Sequence, residues 1–422
     1  MIQAVRGTKD LLPDVINNWL FVENKLRETS AKYGYQEIRT PIFEKTEVFS
    51  RGVGEQTDIV NKEMYTFEDK GGESITLRPE MTASLVRAVI QNSLLNQASL
   101  LKLWYFGPFF RFERPQKGRL RQFHQYGAEC IGSPYPESDA EVIMLADSII
   151  KSLNINDYTL LLNSIGNNTT RYQYKSILVE YLKTKINQLS SESRKRLETN
   201  PLRILDSKEQ SDIEIINQSP SILDFLDNDS KIHFDTVCSL LDLSNIKYTI
   251  EPRLVRGLDY YCHTVFEFRH SSLGAQDSFG GGGRYDTLFE QLGAKSTPAI
   301  GFAMGIERIL LILENINAVE NRKDSCDIYL IRADDKAMPI IINLAKELRE
   351  LGYRVETDML RRSLKAQFRD ANRLSAVLTL IIGEEELKNG NYTIKEMSSG
   401  EQKSIKNNEL LLHLKDYFKR IK

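Results

Sequence analysis

Apolar residues at helical spacing mark the first long element. Trp19, Leu20, Val22, Leu26 and Ala31 stand among charges from Asn18 to Tyr33, and Gly34 ends the run. Tyr35 to Phe43 reads as a strand as far as Pro41, which belongs at an edge or a strand end, and Glu44 to Ser50 as a short helix. Met64–Phe67 and Ser74–Leu77 flank Asp69-Lys70-Gly71-Gly72, a hairpin pattern. The stretch around which the chain is organised runs from Trp104 to Gly132. Trp104 to Phe112 is aromatic and β-prone, Arg114-Pro115-Gln116-Lys117-Gly118-Arg119 has the Pro and Gly of an exposed turn, and Gln122 to Ile131 returns to a strand. This predicts an antiparallel hairpin with a basic tip. Strand parity puts Arg111, Glu113, Gln125, Gly127 and Glu129 on one face, a poor core but suitable for a site.

Further along, Pro79, Glu80 and Thr82 sit at the start of an apolar helix reaching Ile90, and Ala140 to Leu153 is helical. From Arg171 to about Leu240 the chain becomes rich in Lys, Glu, Ser, Asn and Leu, with few aromatics, which predicts a helical insertion between two halves of one domain. Leu254 to Tyr261 is a turn carrying Arg256, Asp259, Tyr260 and Tyr261, and Val265 to Phe268 a strand. Phe279-Gly280-Gly281-Gly282-Gly283 offers bare backbone, either to a ligand or as an ordinary loop. Ala299 to Arg308 begins as a strand and becomes a helix through Leu313. After a linker at Asn321-Arg322-Lys323-Asp324, alternating strands (Asp327–Ile331, Gly352–Glu356, Ala376–Ile382) and helices (Pro339–Leu351, Ser363–Leu374) predict a small α/β domain. The 422 residues thus divide into 1–324, with the insertion at about 171–240, and 325–422.

Composition (41% hydrophobic, 27% charged, net charge −2) is that of a soluble globular chain and excludes a polycation, so any nucleic-acid contact must be local. One such patch is offered by Arg361, Lys365, Arg369 and Arg373, repeating every fourth residue, which reads either as a solvated face or as an RNA-backbone contact. No run is long enough for a membrane span and the N-terminus lacks a signal-peptide core. Cys130, Cys238, Cys262 and Cys326 are scattered, so the expectation is a reduced cytoplasmic protein with no metal held by cysteine or histidine clusters.

No G-x-x-x-x-G-K-[ST] loop is present; Gly293-Ala294-Lys295-Ser296 breaks it. A nucleotide would have to be held by arginines, which stay charged and fork onto phosphate oxygens. Arg111, Arg256 and Arg308 stand in apolar settings. An internal salt bridge is the alternative for Arg308, and simple helix capping the alternative for Glu80.

Arg6-Gly7-Thr8-Lys9-Asp10, Arg78-Pro79-Glu80, Phe110 to Arg119, Arg256-Gly257-Leu258-Asp259-Tyr260-Tyr261, Gly281 to Asp286 and Gly301 to Arg308 together resemble histidyl-tRNA synthetases, in order and over nearly the whole chain. The resemblance implies an α+β fold: the class II synthetase antiparallel sheet with flanking helices and a helical insertion, plus a C-terminal α/β anticodon-binding domain. It implies a homodimer, with Gly34 to Pro41 similar to motif 1, Trp104 to Glu129 to motif 2 and Gly301 to Arg308 to motif 3. The implied reaction activates L-histidine with ATP and Mg2+ and transfers it to the 3′ end of tRNA(His). Arg111 and Arg256 are the implied catalytic cations at the α-phosphate. Arg308 and Arg119 would meet the outer phosphates and Glu113 the adenine. Glu80, Thr82 and Gln125 would take the amino acid's ammonium and carboxylate, Glu129 and Tyr261 its imidazole, with Tyr260 shaping the pocket. Gln116, Arg369 and Arg373 would touch tRNA. Met81 stands where many relatives carry Gly, and its side chain is expected to point away from the substrate. A catalytically silent paralogue, acting as a histidine-binding regulatory subunit or an RNA-binding module, is the alternative.

Overall fold

The computed structural model describes residues 2–54, 57–274, 276–318 and 326–421; the expected linker Asn321-Arg322-Lys323-Asp324 lies outside the described residues. Contacts group residues 1–11 with 19–319 in one unit, and 12–18 with 320–422 in another.

Helix α1 (Pro13–Lys32) begins at Pro13 rather than Asn18, because proline fits a first helical turn and Asp14 favours that end of the dipole. Gly34 leaves it at φ +76°. The expected strand after it shrinks to β1 (Gln36–Glu37), as the chain turns off the edge before Pro41, which has no N–H to pair. β2 (Phe43–Lys45) and α2 (Thr46–Val53) follow. β3 (Tyr65–Glu68) and β4 (Ser74–Leu77) make the hairpin, its turn closed by Asp69 Oδ1 accepting from Gly71 N (2.7 Å) and Glu73 N (2.9 Å). α3 (Thr82–Gln91) starts two residues after Glu80, so Pro79 and Glu80 precede the helix instead of forming its first turn.

β5 (Leu101–Phe110) and β6 (Gln122–Ile131) pair without interruption from Leu101↔Ile131 to Phe110↔Gln122. After α4 (Pro136–Ser152) and β7 (Thr159–Ser164), the insertion supplies α5 (Asn168–Lys183), α6 (Ser191–Thr199), α7 (Gln210–Ile216) and α8 (Asn228–Leu243). β8 (Thr249–Ile250), β9 (Cys262–Arg269), β10 (Ser278–Arg284), α9 (Leu288–Gln291), β11 (Ala299–Gly305) and α10 (Ile306–Asn315) complete the unit. The sheet order is β1-β5-β6-β11-β10-β9-β7-β8, antiparallel except for the parallel edge pairs β1–β5 and β7–β8. The glycine run is therefore no loop. As β10 it is an interior strand, where missing side chains let neighbouring groups lie against the backbone.

Alternation along the central strands separates two faces. Tyr126, Phe266 and Phe302 turn to the core, with ring centroids 5.9 Å (Tyr126–Phe302) and 6.5 Å (Phe266–Phe302) apart. The residues between them face the other way, and there the site lies.

In the second unit, β12 (Ile328–Arg332), α11 (Met338–Glu350), β13 (Val355–Thr357), α12 (Leu364–Arg373) and β14 (Leu378–Ile382) follow the predicted alternation. α13 (Glu384–Asn389), β15 (Asn391–Glu396), β16 (Gln402–Lys406) and α14 (Leu410–Ile421) were not anticipated. The order is β13-β12-β14-β15-β16, with β13, β12 and β14 parallel and the last two strands antiparallel. Arg361 precedes α12 at φ +54°, so it does not belong to the predicted basic helix face. That face is Lys365, Arg369 and Arg373, all exposed, and Asp370 is already paired with Arg362 and Arg373 (both 2.8 Å).

Candidate active site

Strand register builds the floor of the site. Glu129 of β6 lies opposite Gly301 of β11, Gly301 opposite Gly283 of β10, and Gly283 opposite Val265 of β9. One step along, Gly127 faces Ala303, which faces Gly281, which faces Glu267, and a further step along Gln125 faces Gly305. Directly opposed residues in antiparallel pairs share a face, so small residues form a trough flanked by Gln125 and Glu129 on one side and Glu267 on the other. Gly301 is required: an added Cβ would collide with the Glu129 carboxyl group and sit 2.7 Å from Ala128 O. The trough is the floor of a cavity of about 550 Å³.

At one end Glu129 is buried among tyrosines. Tyr285 donates to its Oε2 (2.7 Å) and Thr82 to its Oε1 (2.9 Å). Burial pushes the Glu129 carboxyl up to about 8, against the opposing pull of those two hydrogen bonds. Tyr260 and Tyr261 close the wall, with ring centroids 4.7 Å apart, and Tyr260 also meets Tyr285 edge-on at 5.7 Å. Glu80 caps α3, accepting from Thr82 N (2.7 Å) and Ala83 N (2.9 Å); burial raises its pKa in spite of these bonds. Two oxygens with four lone-pair sites leave room for another donor.

The other end gathers the arginines. Arg111, Arg119, Arg256 and Arg308 all line the same cavity. Arg111 donates through Nε to Pro79 O (2.9 Å) and lies 5.3 Å from the Phe123 ring centroid. Arg256 is ion-paired with Glu267 at 2.5 Å. Burial opposes its charge, but Glu267, Tyr261 and Asp206 outweigh that and move its pKa up. Arg308 donates to Gln276 O (2.7 Å), Ser278 O (2.6 Å) and Gln276 Oε1 (3.2 Å), all neutral oxygens. The internal salt bridge, the alternative reading for Arg308, is not what anchors it. Arg119 is paired with Glu113.

A family model described as histidyl-tRNA synthetase matches residues 7–309, and one described as anticodon binding domain matches residues 321–417. The chain belongs to the histidyl-tRNA synthetase family. It is 49% identical to the histidine–tRNA ligase of Halothermothrix orenii over 96% of each chain, and 48% identical to that of a Cyanothece species over 97% of this chain and 95% of the other. The crystal structure of apo Staphylococcus aureus histidyl-tRNA synthetase, 38% identical, superposes with a TM-score of 0.83 over 98% of this chain and all of that one.

Eleven of the residues singled out from the histidyl-tRNA synthetase resemblance line one cavity: Glu80, Thr82, Gln125, Glu129, Tyr260, Tyr261, Arg111, Glu113, Arg119, Arg256 and Arg308. Gln116 is exposed at the hairpin tip and borders a second hollow of about 330 Å³ behind Arg308. Arg369 and Arg373 lie in the second unit. Met81 is buried, its sulfur facing the Thr40 hydroxyl (3.4 Å) and Arg78 (3.8 Å), while the side chain also borders the cavity.

Sequence reasoning missed Tyr285 and Gln276. Tyr285 follows the glycine run and reaches Glu129 only because the long way round the sheet brings β10 beside β11. Gln276 sits in the β9–β10 connection, where nothing local marks it. The scattered cysteines also conceal a grouping: Cys262, His263 and Asp286 have potential ligand atoms within 4.8 Å of one another. The packing occupies them otherwise. Asp286 Oδ1 accepts from Arg284 and from Ala299 N (both 3.1 Å), Asp286 N donates to Cys262 Sγ (3.4 Å), and burial holds the thiol up at about 12.

Proposed function

We propose that Glu129 and Tyr261 take the two imidazole nitrogens of L-histidine while Arg111, Arg256 and Arg308 grip ATP along the same trough. The activity is that of a histidine–tRNA ligase. The histidine carboxylate attacks the α-phosphate, pyrophosphate leaves with its electrons, and the histidyl group of the adenylate passes to the terminal ribose of tRNA(His). One observation carries the reading: a carboxyl group buried among hydroxyls and a set of arginines share a single cavity on one sheet face.

Negative charge builds on the α-phosphate and the departing pyrophosphate, and fixed cations stabilise it without proton transfer. Arg111 and Arg256 flank the α-phosphate, and Arg308 and Arg119 meet the outer phosphates. Glu113 accepts from the adenine edge as Arg119 turns from it to the phosphates. ATP enters as its Mg2+ complex; Asp277 and Glu267 line this end and offer the hard oxygen donors such an ion takes. The ion would add charge neutralisation on the leaving group. Glu80 pairs with the α-ammonium, with Thr82 orienting Glu129 beside it, Gln125 steers the carboxylate, and Tyr260 shapes the wall. A slot that satisfies both ring nitrogens rejects apolar analogues, which would strand buried polar atoms.

The arginines retained in the cavity and the matched anticodon-binding domain favour the ligase over a silent regulatory paralogue. No described helix is long and apolar enough to cross a membrane. A cytoplasmic homodimer accords with this: Phe43 and Phe67, exposed on the small sheet beside the motif 1-like segment, are surfaces a second subunit would cover.

Pyrophosphate exchange supplies the test: turnover with histidine and no other amino acid is expected, and none with any amino acid would end the ligase reading. For tRNA, Gln116 meets the acceptor end and Arg369 and Arg373 the backbone. Changing Arg369 and Arg373 together to Glu is expected to weaken tRNA binding, with a shallower salt dependence, and leave pyrophosphate exchange unchanged; an unaltered salt slope would remove them from the interface.

A further inference from the structure

We propose that Gln276 is a positioning residue for the triphosphate end, holding Arg119 and Arg308 side by side through a neutral acceptor. Its Oε1 accepts from Arg308 (3.2 Å) and from Arg119 (3.3 Å), and its backbone carbonyl accepts from Arg308 a second time (2.7 Å). Ser278 O takes the remaining Arg308 bond (2.6 Å). Two guanidinium groups that share one acceptor atom repel each other, and the proximity is felt: burial first, then the charge of Arg119, pulls the Arg308 pKa down. An arrangement of this kind relaxes as soon as the shared oxygen is removed, because among the described residues Gln276 Oε1 is the acceptor that the two side chains have in common.

The neutrality of the acceptor matters as much as its position. The sheet already uses carboxylates nearby, Glu267 on Arg256 and Glu113 on Arg119. Arg308, like Arg111, is anchored by carbonyl oxygens instead of a carboxylate, so its full charge remains available to an anion. A carboxylate at position 276 would satisfy the same geometry, but it would neutralise both guanidinium groups and compete with phosphate oxygens for the same N–H donors.

This inference rests on the ATP-binding role proposed above for Arg308. In pyrophosphate exchange with the full-length protein, Gln276→Ala is expected to raise the KM for ATP about tenfold, the scale of one lost hydrogen bond to a charged group. Gln276→Glu should raise it further, although it restores the acceptor, and the KM for histidine should stay within about twofold of the parent in both. Arg308→Ala is the control. If Arg308→Ala raises the KM for ATP and neither Gln276 variant does, the inference on Gln276 falls while the reading of Arg308 stands. If Arg308→Ala leaves it unchanged, both fall. Equal rises in both substrates' KM values, or Gln276→Glu behaving better than Gln276→Ala, would mark Gln276 as a merely structural residue and overturn the proposal.

Discussion

At the Glu129 end of the cavity the polar atoms are buried and lean uncharged. Glu129 is displaced to about 8 by burial, and burial raises the pKa values of Tyr105, Tyr260, Tyr261 and Tyr285 as well. At the other end the groups are charged and stay so. Arg111 and Arg308 are pulled down by burial, yet arginine starts so high that they remain cations. They are fixed by backbone carbonyls, whereas Arg256 is fixed by Glu267. The difference separates two tasks. Discrimination between amino acids works through the cost of leaving a buried donor or acceptor unmet, which needs no net charge. Holding a polyanion and stabilising charge that develops on it needs cations whose orientation is settled beforehand.

The comparison is broken most severely by removing a cation. Arg256→Ala is expected to lower the adenylation rate by about 10²–10³-fold, the range seen for losing one preorganised donor to a developing oxyanion. It also leaves Glu267 without that partner, so pre-steady-state adenylate formation is measured beside tRNA affinity by filter binding. The rate should collapse while the affinity holds; equal losses in both would show that Arg256 supports the fold generally.

Gly301→Ala attacks the opposite end through the backbone. The new methyl group would occupy the place of the Glu129 carboxyl, and overpacking of this kind costs roughly 1–3 kcal/mol. The KM for histidine should rise about tenfold or more, with the KM for ATP changing less. Comparable changes in both would mean the trough responds as one piece rather than as two ends.

The two ends also differ in how far the sequence exposes them. The hairpin that carries Arg111, Gln125 and Glu129 is legible from aromatic content, a Pro/Gly turn and strand parity, because those signals are local. The cavity-lining arginines can be named because a guanidinium in an apolar run stands out. Their anchors cannot. Gln276 meets Arg119 across 157 residues, and Tyr285 meets Glu129 across 156; only sheet order brings these together. The glycine run stays open between ligand approach and an ordinary loop for the same reason, since only strands on both sides make it an interior strand lining the cavity. In the second unit β15 and β16 were overlooked although Tyr392 and Ile394 alternate inward, because a short edge hairpin carries few apolar residues to mark it.

A gentler probe uses protons. A carboxyl group whose pKa rises from 4.5 to about 8 on folding binds more protons folded than unfolded across that window. Its contribution to stability is therefore fully present below pH 4.5 and is lost as pH rises towards 8. Glutamine cannot titrate. Relative to the parent, Glu129→Gln should become more stable between pH 5 and pH 8, with the difference in Tm widening by about 3 °C or more. Thermal melts at the two pH values decide it: a constant difference would mean that Glu129 is ionised throughout and that this end is not the uncharged one.

The smallest change separates the ends most cleanly. Tyr285→Phe keeps the ring against Tyr260 and removes only the hydroxyl that donates to Glu129 Oε2. Because that bond favours the carboxylate, its loss should move the Glu129 pKa further up. Thr82 still holds the other oxygen, so the carboxyl group remains in place but less firmly aimed. One neutral-donor hydrogen bond is worth about 1 kcal/mol net, which corresponds to a rise of roughly fivefold in the KM for histidine. The KM for ATP should not move, since the hydroxyl touches none of the arginines. If it does move, the charge on Glu129 is felt at the phosphates, and the trough has to be treated as a single electrostatic unit in which selection and grip are coupled.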